Sequence, residues 1–92
     1  MPKMLKVFKY QLEIFGTQYI SIPKDAKMLS VQTQNGIPCL WAMVDEDNEK
    51  TNYTVRTLGT GHGVPSELDV GEYVGTYFIN NEELVFHVFI KP

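Results

Sequence analysis

The residues best placed to do chemistry in this chain lie together in LGTGHGVPSE, residues 58–67, where three glycines, a threonine and a histidine follow a strand-like run. Glycine lets backbone N–H groups come close to an anion or form a concave nest. The His62 imidazole can donate to a phosphate or stack on a base, and the Thr60 hydroxyl adds a donor. Arg56, the one arginine of the chain, lies three residues before Gly59. Arg56, Thr60, Gly61 and His62 are therefore candidate ligand-binding residues. The known dinucleotide and phosphate-loop fingerprints require a helix whose N-terminus faces the phosphate, and no helical pattern follows here. Spacing alone favours a wide turn ahead of Pro65, with glycines that only relieve backbone strain. Both readings stay open at this level.

Other chemistry-bearing residues fit simpler roles. Trp41 and Tyr10 are candidate base-stacking surfaces, although an aromatic in a strand is by default a core residue. His87, inside LVFHVF, fits a neutral hydrogen-bonded core or interface histidine. Cys39, in the apolar stretch PCLWAMV, fits a buried inert thiol rather than a nucleophile. Asp45, Glu46, Asp47 and Glu49 crowd into a charged loop. Glu67, Asp69 and Glu72 are conceivable general bases, but nothing fixes their geometry. No catalytic constellation emerges, and no metal site or cofactor is expected.

The elements that must position these residues are strands. KVFKYQLEI alternates Phe8, Tyr10, Leu12 and Ile14 against Lys9, Gln11 and Glu13, a period of two. QYISI follows, and the two runs are expected to pair as a hairpin. Asn35-Gly36 lies between two further strand-like runs and suits a type I′ turn. CLWAMV is apolar on both faces, which predicts a central strand covered on each side. TNYTVRTL leads into the glycine loop, and EYVGTYFINNEELVFHVFI closes the chain as a second hairpin with Asn80-Asn81 as a two-residue turn. Beyond a single turn at PSELDVG, no helical period appears. The expected fold is all-β, one domain over residues 1–92, a compact antiparallel sandwich or partly open barrel of about seven strands. Val85, His87 and Phe89 on the second face of the last strand should lie under a loop or against another subunit, which favours a homo-oligomer.

Composition narrows the function classes. The formal charge is −3 from 8 basic and 11 acidic residues, so general DNA or RNA binding, which rests on many phosphate contacts, is not expected. A single cysteine excludes an intrachain disulfide and fits a reduced cytoplasm. No run approaches the roughly 20 apolar residues of a membrane helix, and no secretory leader pattern opens the chain.

VFKYQL, IPKDAKMLSVQTQNGIPCLWAMVD, LGTGHGVP and YVGTYFINNEELVFHVF together resemble a family of small bacteriophage proteins, over nearly the whole chain. Its most specific pieces are the block from Pro23 to Trp41 with its PCLWA, the GTGH of Gly59 to His62, and Phe86-His87-Val88-Phe89. That family is similar to the phage anti-CBASS sponges, which bind cyclic-nucleotide immune signals without cleaving them. The resemblance implies a non-enzymatic protein of the infected host's cytoplasm, a dimer or tetramer with nucleotide pockets at subunit junctions. It carries no residue assignments, so the site rests on Arg56, Thr60, Gly61 and His62, with Trp41 or Tyr10 for stacking. Sequestration needs only binding, and backbone donors, a cation and aromatics can hold a cyclic dinucleotide in an acidic protein. Two other classes compete: a structural or protein-binding phage component with no small-molecule ligand, and a nucleotide-degrading enzyme.

Overall fold

The alternation at the start of the chain becomes β1 (Lys6–Gln11), which turns Phe8 and Tyr10 to the core and leaves Lys9 and Gln11 exposed. The structure, a computed structural model, describes residues 2–14 and 16–92. β2 (Gly16–Pro23), β3 (Lys27–Gln34), β4 (Ile37–Val44), β5 (Lys50–Gly59), β6 (Glu72–Ile79) and β7 (Leu84–Lys91) follow. The expected all-β class holds, and PSELDVG forms a turn in which Leu68 N donates to Pro65 O at 3.1 Å. The seven strands make two antiparallel sheets, ordered β1-β4-β3 and β2-β5-β7-β6, stacked as an open sandwich rather than a closed barrel. Its Cα extents of 48 × 34 × 15 Å fit two layers, since stacked sheets lie about 10 Å apart.

Inner faces of both sheets supply one core. Ile22, Leu40, Ala42, Val44, Val55 and Val88 are almost completely removed from water, the branched side chains worth about 1.5–3 kcal/mol of burial each and the Ala42 methyl about 0.8 kcal/mol. The sheets approach most closely where β3 lies beside β6. A Cβ on Gly75 would sit 3.3 Å from the Val31 backbone nitrogen, so a side chain there would push the two strands apart by a few tenths of an ångström. The ladder shifts register at this edge in both sheets, between Met28 and Ser30 and between Tyr73 and Gly75.

Turn chemistry explains one hairpin and corrects two expectations. Asn35 and Gly36, with φ of 54° and 79°, join β3 to β4 with Gln34 opposite Ile37, as an Asn-Gly type I′ turn should. β1 and β2, by contrast, are not a hairpin: β1 pairs with β4 and β2 with β5. The link between them carries the chain from one sheet to the other. Leu12 N prolongs the β1–β4 ladder by donating to Pro38 O at 2.9 Å, and the Tyr77 hydroxyl donates to Ile14 O, pinning this corner to β6. The β6–β7 turn is also longer than two residues: Asn80, Asn81 and Glu82 all take positive φ, and Ile79 pairs with Leu84.

The acidic loop after β4 is solvated except at Asp45, which is 9% exposed and accepts from Asp47 N at 3.0 Å. β4 is the central strand of its sheet, as expected. Its outer residues Trp41 and Met43 are only half-buried, so the outer covering is partial.

Candidate functional site

The sheet order explains the length of the glycine loop. β5 and β6 both run antiparallel to β7 and flank it, so they are parallel to each other. A connection between parallel strands must travel back along the sheet, which takes about a dozen residues or more. Residues 60–71 make that return as a strap over the outer face of β5 and β7.

On this face cross-strand pairing sets Thr17, Arg56, Phe89 and Tyr73 in one row, with the Tyr73 and Phe89 rings edge to face at 5.6 Å. The next row holds Leu58, His87 and Thr76. Val85, His87 and Phe89, whose second-face position raised the choice between a loop and another subunit, are half-buried in the single chain.

Both ends of the strap are tied. At the first, Thr60 N donates to Val85 O at 3.1 Å, and the Thr60 hydroxyl lies 2.7 Å from His87 Nε2 and 3.3 Å from Val85 O. The other His87 nitrogen, Nδ1, is 3.0 Å from the Thr76 hydroxyl, which is 2.5 Å from the Tyr73 hydroxyl. His87 is thus a hydrogen-bonded histidine held by two threonines, and Thr60 faces it rather than the cleft described below. At the far end Asp69 pairs with Lys91 at 3.0 Å and accepts from Gly71 N at 3.0 Å. The Lys91 hydrogen bond, then that of Gly71, hold the Asp69 carboxyl below the ordinary carboxylate range, with a smaller contribution from the charge of Arg56.

Between strap and sheet is a cleft of about 180 Å³, lined by Thr17, Arg56, Gly59, His62, Val64 and Leu68 among others. His62 N donates to Gly59 O at 3.0 Å, and the imidazole folds back so far that a Cβ on Gly59 would sit 2.8 Å from Nδ1. Arg56 gives one terminal nitrogen to the Thr17 hydroxyl at 3.2 Å. Its Nε is buried with no partner among the described residues. A buried unpaired donor on a charged group is costly, and such exceptions call for an explanation. What converges here is a set of donors suited to an oxyanion.

The structure therefore brings Arg56 and His62 together and places Gly61 beside them in the strap. Trp41 and Tyr10 do not join them. Both belong to the other sheet, Trp41 on its outer face and Tyr10 on β1 packed against the core, where burial raises its phenol above the ordinary tyrosine range. Thr17 was missed by sequence reasoning, because only the β2–β5 register puts it opposite Arg56.

Two larger clefts flank the β3–β6 contact. The first, about 1050 Å³, lies at the end lined by Lys24, Lys27, Tyr53, Tyr73 and Lys91, with Asp25, Asp69 and Glu72 balancing the lysines. The second, about 640 Å³, is lined by Gln32, Thr33, Phe78, Asn80 and Glu82 among others. Neither was legible before the sheets were stacked, since the first joins four segments and the second two that are distant in sequence.

Among the described residues no helix is long and apolar enough to cross a membrane. No curated protein and no solved structure matches the chain. A family model described as a domain of unknown function, DUF7352, matches residues 4–92, which is nearly the entire sequence, and the chain belongs to that family.

Proposed function

We propose that this protein is a phage immune-evasion factor that binds a cyclic-nucleotide signal, such as a cyclic dinucleotide, in the cytoplasm of the infected host and holds it without cleaving it. The observation that carries this reading is the Nε of the only arginine, buried with no partner among the described residues, on a side chain that shares one cleft with His62 and the glycine strap. Arginine is suited to phosphate because its planar fork can give two parallel hydrogen bonds. The cleft is smaller than the roughly 300–1000 Å³ of a site that engulfs a drug-sized ligand. It suits one phosphate and part of its ribose, and the rest of the ligand then lies against the neighbouring surface or a second copy in a dimer or tetramer. A phosphate held by fixed donors needs no acid or base, and the reading is accordingly one of capture rather than catalysis.

A melting-temperature screen against cyclic dinucleotides, cyclic trinucleotides and cyclic ADP-ribose isomers tests it, because a ligand that binds only the native state raises stability. The expected result is a shift of several degrees with one compound, which is recovered intact after heat denaturation. Recovery of hydrolysed product would replace capture by catalysis. No shift with any compound would remove the small-molecule reading and favour the protein-binding alternative. One observation supports that second reading: Tyr19, Tyr73 and Phe78, on the four-stranded sheet, are 69%, 58% and 49% exposed. Exposed aromatics of this kind are enriched at protein interfaces.

A further inference from the structure

We propose that the strap is a lid, hinged at Gly61 and Gly71 and latched by the Thr60–His87 contact, and that it opens to admit an oxyanion to Arg56. The inference rests on reading the cleft as a binding site, but not on the ligand being a nucleotide.

Three observations carry it. The first is the sealed donor. Arg56 Nε is out of contact with solvent and has no partner among the described residues, and Arg56 lines the cleft that His62, Val64 and Leu68 of the strap close, so displacement of the strap is the route assigned to an incoming ligand atom. Once there, an oxyanion can accept from Nε and a terminal nitrogen together, close to the Thr17 hydroxyl that already receives from Arg56. The second is the backbone of the strap. Gly61 and Gly71 have φ of 85° and 93°, values that side-chain-bearing residues rarely adopt; Gly61 stands near the start of the exposed run and Gly71, half-buried against β7, two residues past its end. Hinges are commonly a few terminal residues of this sort that absorb the change in backbone angles. The third is the placing of the ties. Thr60, just before the first hinge, is fixed to His87 and Val85, and Asp69, just before the second, to Lys91. Residues 60–69 between and beside them are exposed throughout. Loosening a few polar contacts would free such a segment without opening the core beneath it, the behaviour of a local low-stability unit.

The ligand chemistry is that of a tetrahedral oxyanion, a phosphate monoester or diester. An open lid exposes the donor, and a bound oxyanion favours the closed form by bonding Nε there, so the ligand shifts the lid equilibrium through a difference in affinity for the two states.

Amide hydrogen exchange of residues 60–70, with inorganic phosphate as the probe and sulfate as a second oxyanion, tests the lid. In the unaltered chain, saturating phosphate should slow exchange across the strap about tenfold while leaving β4 and β7 unchanged. Arg56→Gln removes the fork and Arg56→Lys keeps the charge without Nε, so both should lose the protection. His87→Gln should speed strap exchange without added anion and leave β4 unaltered. Phosphate protection that persists in Arg56→Gln would overturn the site, as would its absence in the unaltered chain. Strap exchange in His87→Gln that rises no more than core exchange would overturn the latch. Protection by phosphate combined with no response in the nucleotide screen would keep the lid and reject the nucleotide. A nucleotide shift with no strap response would reject the lid and keep the nucleotide.

Discussion

Gly71→Ala should be among the most damaging single-atom additions to this chain, although residue 71 lies between secondary-structure elements. Gly71 has φ of 93°, and a Cβ there would lie 2.3 Å from Ile90 O and 2.6 Å from Ile90 C. The backbone angle alone costs about 1–3 kcal/mol for a residue with a side chain. Relief of the overlap cannot come from a rotamer change, because the obstructing atoms are backbone of β7, whose Val88 and Ile90 are in the core. A total of roughly 2–4 kcal/mol follows from these terms together. For a domain of this size, with about 4–8 °C per kcal/mol, the melting temperature should fall by roughly 8–30 °C. Gly63→Ala is the control: its φ is not positive and nothing lies within 4 Å of the added carbon. That change should stay within about 0.5 kcal/mol, as surface substitutions usually do. Calorimetry or circular dichroism melting of the two variants side by side measures the difference. If both shift the melting point equally, the close packing of the end of the strap on β7 is wrong, and the second hinge of the lid is wrong with it.

Two further substitutions separate site from scaffold. Gly59→Ala should push the His62 imidazole off the strand end, since the new Cβ would lie 2.8 Å from Nδ1, while the fold is kept because the obstruction is a movable side chain rather than backbone. Movement of the His62 C–H resonances together with weaker phosphate protection is the expected outcome; unchanged His62 resonances would contradict the folded-back ring. Tyr77→Phe should cost about 0.5–1.5 kcal/mol by leaving Ile14 O without its donor. Burial pushes the Tyr77 phenol up from 10.0 to about 12. The neutral form is therefore favoured by folding, so its contribution is complete below pH 10 and is lost as pH rises towards about 12. Denaturant unfolding between pH 9 and pH 12 should show this alkaline loss in the parent and a shallower one in Tyr77→Phe. Equal slopes would place the phenol in water.

Strand identity was legible because it depends on local alternation, and the Asn35-Gly36 turn because its conformation depends on two adjacent residues. Pairing was less so. Phe8, Tyr10, Ile20 and Ile22 carry the same period of two whether β1 and β2 pair or face one another across the core, and it is the long-range ladders of β1 with β4 and β2 with β5, extended at the corner by the Leu12–Pro38 and Tyr77–Ile14 hydrogen bonds, that decide between these. Asn80-Asn81 misled for a related reason, because Glu82 takes positive φ as well and lengthens the turn. Within the candidate site, Arg56 and His62 could be nominated from sequence, since they are close along the chain. Thr17 and the His87 latch could not, because they arrive through the registers of β2 and β7.

The turn and ligand readings of GTGHG, opposed at the level of sequence, are different consequences of one topology. With β7 between two parallel neighbours, the chain has to cross the outer face of its own sheet, and the reversals at each end account for the positive φ of Gly61 and Gly71. The crossing accounts for nothing more. A strap that merely covered β5 and β7 would be best served by an apolar residue beneath it, in the manner of Leu58, whereas position 56 carries a half-buried arginine whose Nε has no acceptor among the described residues. Replacing a buried unpaired donor by an apolar group of similar size is neutral or stabilising when the donor has no other role. Arg56→Met should therefore raise the melting temperature while abolishing phosphate protection of the strap, a trade of stability for binding that is typical of functional sites. A variant that is destabilised instead would show that Arg56 is there to hold the fold.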